Sequence, residues 1–76
     1  MEQESQEREI EVAPGTRLGQ FLKVAAVAGS GGEAKHLIEE GFVTVNGEVE
    51  ERRGRQLSAG DRVDLEGLHF LVSMQQ

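Results

Sequence analysis

Apolar residues at Leu18, Phe21, Leu22 and Ala25 recur at i, i+3, i+4 and i+7. That stripe predicts a core-facing helix from Arg17 to about Val27, with Thr16 as its cap. A second stripe, Ala34, Leu37 and Ile38, follows Ser30, a good N-cap residue. Glu33, three positions on, completes a Ser-x-x-Glu capping box that would satisfy two orphan backbone donors, and Gly41 stands where a left-handed C′ residue ends a helix. Elsewhere the period shortens to two. Ile10 and Val12 alternate with acids, predicting a short half-buried strand over Glu9 to Ala13 that the Pro14-Gly15 turn closes. Phe42 to Val45 is a β-favouring run. Asn46-Gly47 suits a type I′ turn, which needs positive φ at both central residues, and Glu48 to Glu50 returns as the partner strand. After a charged, exposed tract from Glu51 to Gln56 come Leu57 and a Ser58-Ala59-Gly60-Asp61 turn. Strands at Arg62 to Leu65 and His69 to Val72, joined at Gly67-Leu68, finish the pattern. The fold class is therefore α+β: two short helices packed on a small twisted, mostly antiparallel sheet. One domain spans residues 9 to 73, and residues 1 to 8, polar and without periodicity, read as a disordered acidic tail.

At 76 residues the chain can hold one modest core, since a domain of this size buries only ~60% of its unfolded surface. Cysteine is absent, so stability has to come from packing and hydrogen bonds. The longest unbroken apolar run, Val24 to Ala28, is far short of the ~20 residues a membrane helix needs. The acidic, polar start lacks the features of a secretory signal. These features fit a cytoplasmic, monomeric protein.

The net charge of −6 argues at first against nucleic acid. Its layout weakens that objection. Residues 1 to 11 carry five acids against Arg8, and the last segment carries Asp61, Asp64 and Glu66 against Arg62. Residues 12 to 55 carry six bases and six acids and are neutral. Local potential, not net charge, decides phosphate contacts, so the middle can present a positive face.

Candidate chemistry narrows quickly. Gly29-Ser30-Gly31-Gly32 before a helix suggests a phosphate loop, but the fingerprint's Gly-Lys-Ser/Thr ending is replaced by Glu33-Ala34-Lys35. The helix start could hold one phosphate on its free N–H groups, although Glu33 places its own carboxylate there. His36 and His69 lack a third ligand at metal-binding spacing, and neither a serine elbow nor a cysteine nucleophile is present. No enzyme activity, cofactor or metal is expected. The basic residues remain: Arg17 and Lys23 on the first helix, Lys35 and His36 on the second, and the cluster Arg52, Arg53, Arg55 past the hairpin. None of the three clustered arginines occupies an apolar-periodic position, so replacing them should leave the fold intact. Phe21, Phe42 and Phe70 lie in apolar patterns and are assigned to the core. Shape and phosphate recognition of structured RNA then fits better than base stacking on aromatic rings.

Thr16-Arg17-Leu18, Phe21-Leu22, Ser30-x-x-x-Ala34-x-x-Leu37-Ile38-x-x-Gly41-x-Val43-x-Val45-Asn46-Gly47 and Gly60-Asp61-x-Val63 together resemble the RNA-binding domain named after ribosomal small-subunit protein four, the alpha-L motif. The resemblance covers roughly residues 15 to 66. SGGEAK followed by VNGEVEERRGR is most similar to the small free-standing bacterial YbcJ-like proteins. It implies a non-catalytic protein that docks on structured RNA, ribosomal RNA foremost, through a helix-helix face and a basic hairpin flank. Carried over by position, that surface falls on Arg17, Ser30, Lys35, His36, Asn46, Arg52, Arg53 and Arg55. Two positions depart from the family pattern: Gly31 stands where many members have arginine, and Gly19 where many have aspartate. Losing that arginine removes a guanidinium fork suited to phosphate. The alternative is an acidic protein-protein adaptor of the same fold that binds ribosomal proteins or another basic partner.

Overall fold

A computed structural model describes residues 7–75 of the chain. Seven elements follow one another: β1 (Glu7–Val12), α1 (Leu18–Val24), α2 (Gly31–Glu39), β2 (Val43–Val45), β3 (Glu48–Val49), β4 (Arg62–Leu65) and β5 (Leu68–Met74). The strands form one sheet in the order β1-β5-β4-β2-β3. Every neighbouring pair is antiparallel except β1 with β5, which run parallel with Ile10 opposite Val72 and Val12 opposite Met74. The first strand thus closes onto the last, and the rest of the domain is the connection between them.

Strand alternation gives the sheet one apolar face. Val43, Val45, Val63, Leu65, Phe70 and Val72 are buried on it. Leu18, Phe21 and Leu22 from α1 and Ala34 and Ile38 from α2 cover that face. Phe21 meets Phe70 edge-on, ring centroids 6.0 Å apart and planes at 79°, the geometry the aromatic quadrupole favours. The α+β architecture expected from the pattern is the one observed.

Several boundaries move, each for a local reason. The first strand begins at Glu7, so Glu7 and Arg8 belong to the sheet; the rest of the expected tail, residues 1–6, lies outside the described residues. Glu7 is anchored by an ion pair to Arg62 at 3.0 Å. The first helix stops at Val24, three residues early. Ala26 takes φ of 65°, and Val27 and Ala28 both donate to the Leu22 carbonyl at 3.1 and 3.2 Å, which turns the chain and seats Ala28 in the core. The cap is Arg17 rather than Thr16, whose hydroxyl donates to Ala13 O at 2.7 Å instead. The capping box of α2 is rearranged as well. Ser30 Oγ accepts from Glu33 N at 3.1 Å, but the Glu33 carboxylate reaches past the cap to Gly29 N at 2.5 Å. Gly41, at φ of 84°, ends α2 as anticipated. Its N–H donates to Ile38 O and that of Phe42 to Leu37 O, both at 3.1 Å, a Schellman closure. Phe42 is spent on that closure, and the residue is 47% exposed, so the assignment of this ring to the core is corrected. The Asn46-Gly47 turn has φ of 54° and 88°, as type I′ requires. The last turn sits one residue earlier than expected, at Glu66-Gly67, with φ of 50° and 84°.

Candidate nucleic-acid interface

The segment from Glu50 to Leu57 is strapped across the start of α1. The first turn of any helix leaves backbone donors without intrahelical partners. Here Leu18 N donates to Arg55 O at 2.8 Å and Gly19 N to Arg53 O at 2.9 Å, while Leu57 N donates to Thr16 O at 3.0 Å. Arg17 Nη1 adds a bond to Gly54 O at 2.7 Å. The side chain of Gln20 completes the start of the helix by accepting from Arg17 N at 3.0 Å. The first two backbone donors of α1 are consequently taken, and the arginine-bearing strap is held in one place.

Glu50 organises the strap from beneath. Its side chain is 9% exposed, and its carboxylate takes four bonds. Arg52 supplies Nε at 2.9 Å, Nη2 at 3.1 Å and its own backbone N–H at 3.1 Å; Arg55 supplies Nη1 at 3.0 Å. The Arg52 guanidinium is the main cause that holds the carboxyl at about 2, well below its ordinary 4.5; burial opposes it, and Arg55 adds to it. The same contact raises the pKa of Arg52. Two of the three clustered arginines are therefore structural ties. The expectation that replacing all three leaves the fold intact is corrected: losing Arg52 and Arg55 would strand a nearly buried carboxylate.

Arg53 is different. It is exposed, with its backbone packed against Gly19. It stands with Arg17 and Lys23 around an open groove of ≈ 230 Å³ between the start of α1, the first turn of α2 and the strap. Gly19, Gln20, Gly31, Ala34 and Gly54 supply the remaining walls, and no acid is among them. Both departures from the family pattern, Gly19 and Gly31, thus open onto this one groove. A Cβ placed on Gly31 would meet nothing within 4 Å.

The eight residues carried over from the resemblance do not form one patch of equal members. Arg17 and Arg53 line the groove. Lys35 is exposed one turn above Gly31, on the same side of α2. His36 is exposed on the neighbouring side of that helix. Ser30 is committed to capping α2, and Arg52 and Arg55 to Glu50. Asn46 braces the hairpin: its Nδ2 donates to Asp61 Oδ1 and its Oδ1 accepts from Arg62 N, both at 3.0 Å. Lys23 and Gln20 line the groove as well, although neither is among the positions carried over. The signal for Lys23 is present in the sequence, since residue 23 stands one helical turn from Gly19 and faces away from the Phe21-Leu22 stripe. Among the described residues, no group of three or more His, Asp or Glu is placed to hold a metal, and no helix is long and apolar enough to cross a membrane.

Three comparisons bear on this geometry. Residues 9–73 match the S4 domain family. A probable ribosome maturation protein, RlbA of Bacillus subtilis, is 56% identical over 50 residues, covering 66% of this chain and 70% of the relative. The solution structure of YbcJ from E. coli, described as revealing an alfaL motif involved in RNA-binding, superposes with a TM-score of 0.64 at 31% identity, covering 93% of this chain and 90% of that one. With residues 9–73 matched by the family and its fold shared with a solved structure at 31% identity, the chain belongs to the S4 domain family.

Proposed function

We propose that this protein is a small, non-catalytic, cytoplasmic RNA-binding module that docks on structured RNA, ribosomal RNA foremost, with the cationic groove as the centre of its interface. The observation that carries this reading is the convergence of Arg17, Lys23 and Arg53 from two segments onto one acid-free concavity in an otherwise acidic chain. Lys35 extends the positive surface along α2. The strap's bonds to the first turn of α1 fix the wall on which Arg53 stands, so little ordering is required on binding. Membership of the S4 family and likeness to a ribosome maturation protein and to an RNA-binding motif support the same direction.

The test is a salt titration of binding to folded ribosomal RNA fragments. Removing one cation–phosphate pairing lowers the log–log salt slope by roughly 0.7 to 0.9. Lys23→Gln with Arg53→Gln should lower affinity and flatten the slope by two such increments, whereas Arg52→Gln should change it less. An unchanged slope in the double variant would remove the groove from the interface. The adaptor reading draws on Glu9 and Glu11, both exposed on β1. It predicts ribosomal or other basic proteins retained after nuclease treatment and no affinity for RNA alone.

A further inference from the structure

Resting on the RNA-binding reading, we infer that the groove admits one unstacked nucleotide of the bound RNA, such as a single-base bulge, with its base in the groove and its flanking phosphates on Lys23 and Arg53. A groove that served phosphates alone would need only surface cations. This one is a half-open concavity of ≈ 230 Å³, somewhat below the roughly 300 Å³ at which small-molecule pockets begin. It suits one flat ring system. Gly31 and Ala34 give it a floor of backbone and one methyl group, free of bulky side chains.

The Arg17 guanidinium is held at the groove by its 2.7 Å bond to Gly54 O, and guanidinium planes are a standard stacking surface for splayed RNA bases. Gln20 Oε1 is committed to Arg17 N, which fixes the amide's orientation. Its NH2 group donates to no other described residue and can address a base edge. No aromatic ring lines the groove, so the stack would fall to Arg17. Gly31 leaves that space open, since a Cβ there would meet nothing within 4 Å, whereas a Cβ on Gly19 would touch Arg53. A bare glycine at position 31 adds nothing to phosphate binding. It makes sense if the space is occupied.

The experiment uses two RNA hairpins of equal nucleotide number, one fully paired and one with a single adenosine bulge, each titrated with the full chain. The bulged hairpin should bind tighter by about tenfold, within the range one stacked base contributes. Gly31→Leu fills the groove without altering charge, and its Cβ enters open space. It should abolish the preference, read as the ratio of the two affinities, whatever it does to affinity for the paired hairpin. Gly31→Arg should also abolish the preference while raising affinity for both RNAs, separating loss of space from loss of binding. With 2-aminopurine at the bulge, emission should change on saturation with the wild type and stay constant with either variant. Equal affinity of the wild type for both hairpins, or a preference that survives Gly31→Leu, overturns the inference and leaves RNA binding standing. Failure to bind either hairpin at low salt overturns both readings.

Discussion

Replacing Glu50 by glutamine tests the strap most directly. The substitution keeps shape but removes the charge that gathers Arg52 and Arg55, and its amide NH2 must face two of their N–H groups. Bonds to a charged group are worth about 1.5 to 3 kcal/mol when sheltered and about 0 to 1 kcal/mol when exposed. The Arg52 side chain is 75% exposed and that of Arg55 31%, so the first pairing contributes near the lower range and the second somewhat more. The sum is about 2 kcal/mol. An independent route gives a ceiling: a carboxyl moved from 4.5 to about 2, at about 1.36 kcal/mol per unit, corresponds to about 3 kcal/mol before solvent screening reduces it. In a domain this small, about 2 kcal/mol lowers Tm by roughly 8 to 16 °C. The pH dependence adds a signature. Because the folded state holds Glu50 below its unfolded value, its stabilisation is fully present above pH 4.5 and is lost as pH falls toward 2. Thermal melts followed by circular dichroism should therefore show Glu50→Gln well below wild type at pH 7, with the gap closing between pH 4.5 and 2. A variant with wild-type Tm at pH 7, or a gap that stays constant down to about pH 2.5, would refute the account of Glu50 as the organiser of the strap.

Two further predictions concern the fold. Asn46-Gly47→Val-Val places β-branched residues at φ of 54° and 88° and removes the Asn46 brace to Asp61 and Arg62, so denaturant unfolding should register a loss of about 2 to 4 kcal/mol. Ser30→Ala removes the acceptor for Glu33 N and should cost about 1 kcal/mol by the same measurement, with a neutral result locating the start of α2 elsewhere.

Local signals were legible where one segment both carries and satisfies them. Gly41, Asn46-Gly47 and the two apolar stripes of the helices announce themselves because a left-handed turn or a 3.6-residue period needs no distant partner. The parallel pairing of β1 with β5 has no such mark, since the register of Ile10 with Val72 is set by packing between chain ends. Phe42 misled because its apolar neighbours suggested a strand, while the closure of α2 claimed its N–H and left its ring outside. Glu50 was equally opaque. From Glu48 to Arg55 every residue but Val49 and Gly54 is charged, so Glu50 reads as one more solvated acid. Only the path of the strap shows it turned inward. The groove gathers side chains and backbone from α1, the first turn of α2 and the strap, so its existence follows from tertiary placement. The glycines that open it were nonetheless visible as departures from the family pattern.

The buried carboxylate also changes how charge should be counted at this interface. Along the chain, Arg52, Arg53 and Arg55 look like the obvious phosphate array, and Arg17 and Lys23 like isolated surface charges. Folding inverts that ranking. Glu50 offsets the charge of Arg52 and Arg55 at close range, so an approaching phosphate there meets an ion cluster of much reduced positive charge. Arg17, Lys23 and Arg53 have no carboxylate in the groove to oppose them. Acids farther away than a Debye length of ~8 Å at physiological salt are screened, so the net charge of −6 says little about the field in the groove. The positions of the acids, more than the number of the bases, decide where the proposed anionic partner would dock.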